Sequence, residues 1–192
     1  MSDPTLAAHF EELHRASDDP WSVDTRWYER RKRALSLALL RRPSYDRAFE
    51  PGCSVGAFTE LLADRCTRLL SWDASTAAVE TCRRRMAGAD HVTVQYRTMP
   101  GSWPVGRIDL VVLSEVGYYL AASELDDVLD HVGRSLSPGG DLLAVHWRKV
   151  ADDFRLAGGD DVHRRIAARP ELRSAARYVD DDFLAEIFVR EP

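Results

Sequence analysis

Leu110 to Leu113, inside the segment "IDLVVLSEV" at 108–116, run apolar without a polar interruption. A strand that packs on one face alternates apolar and polar residues, so an unbroken run of this kind predicts a central parallel strand buried on both faces. Such a strand needs neighbours and helices above and below it, and the chain supplies them in alternation after Pro43. "RAFE" is a first short strand and Val55 to Arg65 its helix. "RLLSWD" is a second strand, followed by a helix from Ser75 to about Met86, and "HVTVQY" is a third. After the central run Ser123 caps a helix through Leu136, "SPGG" supplies its proline and glycine stop signals, and "DLLAVHW" is a fifth strand. "GGDDVHRRIAA" reads as a short helix, and "SAARYVDDDFLAEIFVR" as two strands joined at Asp180-Asp181-Asp182. Alternating strands and helices specify a doubly wound α/β fold, here seven-stranded and mostly parallel with a C-terminal antiparallel hairpin strand.

Before Pro43, residues 5–17 and 25–42 predict two helices, with Thr5 and Asp24 or Thr25 as N-caps and "DDPW" breaking the chain between them. The expected organisation is a single domain, 1–43 forming a helical cap and 44–192 the core. The run Arg30-Arg31-Lys32-Arg33 reads as a solvated face; the segment with Trp21, Tyr28 and Lys32 is placed to close over a bound ligand, the bland alternative being that Tyr28 and Leu35, on one helical face, only dock the helix.

With 26 Lys and Arg against 31 Asp and Glu, the net charge of −5 argues against nucleic acid as the main partner and points to a small molecule. Cys53, Cys66 and Cys82 are odd in number and lack C-x-x-C spacing, and no secretory signal is read. Neither a disulfide nor a structural zinc is expected, no metal ligand set is visible, and the location expected is cytoplasmic. The longest apolar run, around 34–40, is interrupted by Ser36 and falls far short of the ~20 residues that a membrane span requires.

The segment "EPGCSVG" at 50–56 fits two chemistries. Gly52-x-Ser54-x-Gly56 spells a nucleophile elbow, in which a strained strand-to-helix turn exposes an attacking serine. It follows the first strand, however, whereas an elbow comes after several strands have built its support. The other reading is a loop holding a nucleotide-like cofactor. A dinucleotide fingerprint would want G-x-G-x-x-G, and only Gly52 and Gly56 are present. What fits instead is E-x-G-x-S-x-G followed by Asp73, 21 residues after Gly52 at the end of the second strand. A carboxylate there can accept both hydroxyls of a ribose. Glu50, with no pyrophosphate to repel, can receive the amino group of an amino-acid tail. Ribose and amino-acid tail together describe S-adenosylmethionine.

Over residues 47–147 the chain resembles the class I S-adenosylmethionine-dependent methyltransferases. "DPW" at 19–21, "YERRK" at 28–32, "EPGCSVGAFTELLADRC" at 50–66, "VVLSEVGYYL" at 111–120, "PGGDLLAVHWR" at 138–148 and "GDDVH" at 159–163 narrow the resemblance to the nodulation N-methyltransferase (NodS-like) family. The resemblance implies a Rossmann-like methyltransferase fold, S-adenosylmethionine as cofactor and N-methylation of an amino sugar or deacetylated oligosaccharide. Three positions depart from the pattern. Arg97-Thr98-Met99 stand where an Asp beside the adenine is usual, Ser54 where Gly is common, and Gly117 where a bulkier apolar residue is common.

The cofactor-binding residues expected are Glu50, Gly52, Cys53, Gly56, Asp73, Thr98, Met99 and Ser114. Glu115 and His146 are the candidate catalytic residues, because both lie at carboxyl ends of central strands, where open α/β sheets bind ligands. An attacking amine must be unprotonated, and a base within hydrogen-bond reach would see to that. Trp21, Tyr28, Tyr118, Tyr119 and His163 are the candidate substrate contacts. Each has a bland alternative: Glu115 as a turn cap, His146 as a satisfied core histidine, the tyrosines as hydrophobic wall, His163 and Asp160 as helix surface. The rival functions are O-methylation of another small metabolite, a serine hydrolase using Ser54, and a binder that holds the cofactor without turnover.

Overall fold

The computed structural model describes residues 4–192. Two helices, α1 (Pro4–Ala16) and α2 (Trp27–Leu39), precede the sheet. The remainder alternates as β1 (Tyr45–Pro51), α3 (Ala57–Ala63), β2 (Cys66–Asp73), α4 (Thr76–Arg85), β3 (Val92–Tyr96), β4 (Ile108–Ser114), a 3-10 turn (Gly117–Tyr119), α5 (Ala122–Ser135), β5 (Leu136–Trp147), α6 (Gly159–Ala167), β6 (Leu172–Val179) and β7 (Phe183–Arg190). The seven strands form one sheet in the order β3-β2-β1-β4-β5-β7-β6. Pairing is parallel from β3 through β5 and antiparallel where β7 sits between β5 and β6.

Strand parity divides the core. Val111, Leu113, Leu142, Ala144 and Phe188 pack on one face under α5 and α6. Leu110, Val112, Leu143, Val145 and Ile187 pack on the other with Phe58 and Leu62 of α3 and with Tyr28 and Leu35 of α2. The unbroken apolar run of β4 is thus explained by a helical layer on each side. From β1 the chain winds outward to β2 and β3, then crosses back to β4. That order makes the carboxyl ends of β1 and β4 a topological switch point, where a crevice opens.

Several boundaries differ from the sequence expectation. Thr5 lies inside the first turn of α1, not before it. The N-cap of α2 is Arg26, without a side-chain bond, because Asp24 is drawn to Arg85 and Thr25 bonds back to Ser22. Ser123 is the second residue of α5. The N-cap there is Ala121, whose N–H donates to Glu124. "SPGG" lies within β5, where a bulge separates the pairs Ile108–Leu136 and Leu110–Asp141. The basic run of α2 is solvated only in part: Arg30 is exposed, but Lys32 is buried, and Arg31 pairs with Asp180 at 2.6 Å. Among the described residues no helix is long and apolar enough to cross a membrane.

Across the bulge, the buried Asp141 accepts hydrogen bonds from the Tyr45 hydroxyl (2.6 Å) and from Arg41 Nη2 (2.7 Å) and Nε (3.0 Å). It ties the segment after α2 to the sheet. Tyr45→Phe should therefore lower unfolding stability by about 1.5–3 kcal/mol, the range for a hydrogen bond to a charged partner, as read by urea denaturation.

Candidate functional site

A cavity of about 660 Å³ opens at the carboxyl ends of β1, β2, β4 and β5. Its floor is the loop after β1. Gly52 and Gly56 hold φ of +80° and +82°, conformations that glycine adopts without a steric penalty. A Cβ on Gly52 would lie 2.2 Å from Val116 Cγ1, and one on Gly56 would lie 2.7 Å from Cys82 Sγ, so both glycines also admit close packing of protein atoms. Ser54, between them, holds φ +49° without glycine's freedom. Its N–H donates to Asp73 Oδ2 (2.9 Å), while the Ser75 N–H donates to Oδ1 (2.8 Å). Asp73 therefore shapes the loop and also lines the cavity. Burial pushes its carboxyl above the ordinary range, against those two backbone bonds.

Glu50 is buried at the end of β1, and its Oε2 accepts bonds from Thr59 Oγ1 (2.7 Å) and Ser71 Oγ (2.9 Å). Two neutral hydroxyls do not offset the loss of water, and burial, with Asp73 nearby, pushes the carboxyl up to about 7. It lines the cavity, and among the described residues no cation pairs with it.

Glu115, immediately after β4, holds φ +56°. Lys32 Nζ donates to its Oε1 at 2.5 Å, the Trp147 N–H to Oε2 at 2.9 Å, and the Tyr118 hydroxyl also to Oε2. Lys32 bonds Glu29 at 3.2 Å and lies 4.8 Å from the centre of the Tyr28 ring. Burial alone would pull the Lys32 ammonium down, but Glu115 and Glu29 outweigh it and hold it above its usual value. Burial, together with Glu115, pushes the Tyr118 phenol well up, so it remains a donor.

Aromatic rings complete the walls. Tyr118 stacks on Phe154 with centroids 3.8 Å apart, Tyr119 meets Phe10 of α1 edge-on at 4.9 Å, and His14 of α1 meets Trp21 at 5.2 Å. Glu11 docks α1 by accepting from Ser75 Oγ (2.8 Å) and the Ala77 N–H (3.3 Å) at the start of α4, where the helix dipole favours a negative charge. His14 is buried, lines the cavity and has no partner for Nδ1; the Tyr28 hydroxyl and Ser54 Oγ are likewise unpartnered among the described residues.

Of the residues expected from the sequence, Glu50, Gly52, Cys53, Asp73, Met99, Ser114, Glu115, Trp21, Tyr28, Tyr118 and Tyr119 line this cavity. Gly56 lies behind it as the N-cap of α3, and Thr98 is not among the lining residues. Nor are His146 and His163, which are buried beneath it and bonded to each other. Phe10, His14 and Phe154 line the cavity without having been singled out. Leu6, Phe10 and His14 repeat every fourth residue as the buried stripe of α1, and a polar residue in that stripe was the available signal for His14. Among the described residues no group of three or more His, Cys, Asp or Glu is placed to hold a metal ion.

The family model of Nodulation protein S (NodS) matches residues 8–151. Nodulation protein S of Rhizobium tropici is 37% identical over 130 residues, covering 67% of this chain and 55% of the relative. That of Sinorhizobium fredii is 31% identical over 143 residues, covering 72% and 66%. The chain thus spans about half to two thirds of the length of these curated relatives. Among solved structures, the N-methyltransferase NodS from Bradyrhizobium japonicum in complex with S-adenosyl-L-homocysteine superposes with a TM-score of 0.87 at 27% identity, covering 97% of this chain and 99% of that one. A protein from Pseudomonas syringae is 42% identical with a TM-score of 0.76, covering 86% and 100%.

Glu50 keeps its proton up to about pH 7 in the folded chain and loses it near 4.5 when unfolded. The folded state therefore holds the extra proton between those values, and this group's contribution to stability falls as pH rises through the window, by about 3 kcal/mol in all. Glu50→Gln remains neutral and can keep both hydroxyl bonds. Urea denaturation of the free protein should find it more stable than the parent, by about 1 kcal/mol at pH 5.5 and about 3 kcal/mol at pH 8.

Proposed function

The chain belongs to the Nodulation protein S (NodS) family, and on that premise we propose that it is an S-adenosylmethionine-dependent methyltransferase. Its acceptor on this reading is the nitrogen of a small amine, an amino sugar or the deacetylated end of an oligosaccharide, and the reaction runs in the cytoplasm. The observation that carries the reading is that Glu50, Asp73 and Glu115, from the ends of β1, β2 and β4, all line one cavity. Three unpaired cysteines suit a reducing compartment.

The residues fit the cofactor. Glu50, a buried carboxyl that no cation among the described residues pairs with, suits the ammonium of an amino-acid tail. The remaining lone pairs of Asp73 suit ribose hydroxyls, and Met99, Ser114 and Cys53 give the apolar and small-polar surface for the rest. The bound cofactor supplies an activated methyl group on a sulfonium. The chain's own task is to hold an acceptor nitrogen in line with that methyl and to exclude water, a positioning effect worth up to ~7–11 kcal/mol in favourable cases. Tyr28, Tyr118, Tyr119 and Trp21 offer rings on which a sugar or alkyl body can rest. Glu115 already accepts three hydrogen bonds, from Lys32, the Trp147 N–H and Tyr118. Its role is to accept a hydrogen bond from the neutral amine and so aim the nitrogen's lone pair, and the acceptor ammonium gives up its proton before it binds.

A serine nucleophile requires a base within hydrogen-bond reach. Ser54 Oγ is buried with no hydrogen-bond partner among the described residues, which weighs against the hydrolase reading.

Calorimetric titration with S-adenosylhomocysteine should give saturable binding, weakened at least tenfold in Asp73→Ala. An ammonium delivered to Glu50 favours the ionised carboxylate, so binding at pH 6 should release most of one proton. That release is read from the dependence of the enthalpy on buffer, and it should vanish at pH 8.5 and in Glu50→Gln. Failure of the folded protein to bind, with ester hydrolysis lost in Ser54→Ala, would overturn the assignment.

A further inference from the structure

Beneath the cavity runs a chain of hydrogen bonds whose direction is dictated by its two ends. The Gly117 N–H can only donate, and it donates to His146 Nε2 at 3.1 Å, so that nitrogen carries no proton. A neutral His146 then bears its proton on Nδ1, which lies 3.1 Å from His163 Nε2 and donates to it. His163 in turn bears its proton on Nδ1 and donates to Glu186 Oε2 at 3.2 Å. Glu186 is anchored by Ser174 Oγ, with Arg177 Nε at 3.6 Å. His146, His163 and Glu186 are all buried.

This chain ends on a backbone amide and opens onto no substrate. It is unsuited to carrying a proton to or from the cavity, because the Gly117 N–H neither accepts nor relays one. What it can do is locate that amide. Gly117 lies between Glu115 and the Tyr118-Tyr119 pair, all three of which line the cavity. A Cβ on Gly117 would lie 2.8 Å from His146 Nε2 and 2.6 Å from Val162 Cγ1, so the turn can seat on the histidine only with glycine at this position. Helix α6 contributes both Val162, which presses on the turn, and His163, which fixes His146. Gly117, the departure noted in the sequence, and His146 are therefore a matched pair.

We propose that Glu186, His163 and His146 are positioning residues, which hold the Glu115–Tyr119 turn against the cavity through the Gly117 amide and so set how the acceptor is bound; this rests on the methyl-transfer reading above. A protonated His146 would present N–H to N–H, and the bond would be lost. The groups facing the pair oppose that. The Tyr118 ring packs against His146, and burial first, then His163 and the positive charge of Lys32, push its proton affinity well down. Around His163 are Glu186, Asp160, Arg177 and the Phe188 ring, and burial prevails over Glu186 to lower it as well. The arrangement therefore persists below the ordinary histidine range near pH 6.5 before acid breaks it.

The test begins on the wild-type chain labelled with ¹⁵N. A scalar coupling across the hydrogen bond between Gly117 N and His146 Nε2, with the unprotonated chemical shift at that nitrogen, is expected; a protonated Nε2 at pH 7.5 overturns the proposal. In Glu186→Gln the pH at which the Gly117 signal collapses should move down, because removal of the carboxylate makes the histidines harder to protonate. With S-adenosylmethionine and a partially deacetylated chitooligosaccharide as the acceptor probe, His146→Leu should lower kcat/KM for the probe at least tenfold. It should leave S-adenosylhomocysteine affinity within about threefold. His146→Gln, which can still accept from Gly117, should recover most of the loss. If the cofactor binds and the probe is not methylated, the substrate reading fails on its own. The positioning role is then decided by the amide signals of Glu115, Tyr118 and Tyr119, which should shift in His146→Leu and return in His146→Gln. Signals that stay in place, or an unchanged kcat/KM, overturn it.

Discussion

A non-glycine residue at φ +56° carries about 1–3 kcal/mol of backbone strain, and Glu115 carries it immediately after the central strand β4. What holds it there is its carboxylate. Lys32 reaches it from α2, Tyr118 from the following turn, and the Trp147 amide from the end of β5. Those three donors come from three separate parts of the chain, of which the turn and the end of β5 are also joined by the hydrogen bond from the Gly117 N–H to His146. The carboxylate thus fixes the helical cap, the turn and the end of β5 relative to one another, and the cavity is the space left between them. Removing either partner of the Lys32–Glu115 pair would do more than break a salt bridge, because it would leave a poorly hydrated charge and relieve the strain at once.

The three acids of the cavity are made different by their surroundings. Asp73 has two backbone N–H donors and Glu115 a lysine, whereas Glu50 has only two hydroxyls and burial. Glu50 is consequently the acid that keeps its proton up to about pH 7 in the free protein, and the one whose ionised form a cationic ligand would stabilise. The stability lost by burying an unpaired carboxylate is of the same kind as the binding energy that the site makes available, so a site tuned for that ligand is destabilised without it. The same contrast distinguishes a site for an amino-acid tail and ribose from one for a dinucleotide, whose pyrophosphate Glu50 would repel.

Much of this was legible in the sequence because it depends on short-range patterns. The unbroken apolar run of β4, the alternation after Pro43 and the positions of Glu50, Asp73 and Glu115 at strand ends follow from period and spacing. So does the pairing of Tyr118 and Tyr119 with the turn. The misreadings came from interactions distant in sequence. Asp24 was a plausible cap until Arg85, 61 residues away, took its carboxylate. "SPGG" reads as a helix stop, but Asp141 is held by Tyr45 and Arg41, about 100 residues earlier, and the glycines serve a bulge in a strand. The basic run of α2 reads as solvated because nothing local reveals that Glu115 will meet Lys32. Phe10 and His14 lay in a helix whose partner surface, the cavity roof, no single segment describes.

His146 shows how fine the margin is. It lies at the carboxyl end of a central strand and carries a suitable base, yet strand parity places it with Leu142 and Ala144, on the face covered by α5 and α6. Its neighbour Trp147, one residue on, lines the cavity and lends its N–H to Glu115. Position along a strand locates a residue near the crevice, and only parity says which side of the sheet it serves. Two histidines that do not line the cavity lie on the side that meets the turn, since Gly117 is where the loop after β4 passes over that face. Residue types that suggest acid–base chemistry in a list of candidates thus act through geometry in the role proposed for them, by leaving one lone pair where one backbone amide needs it.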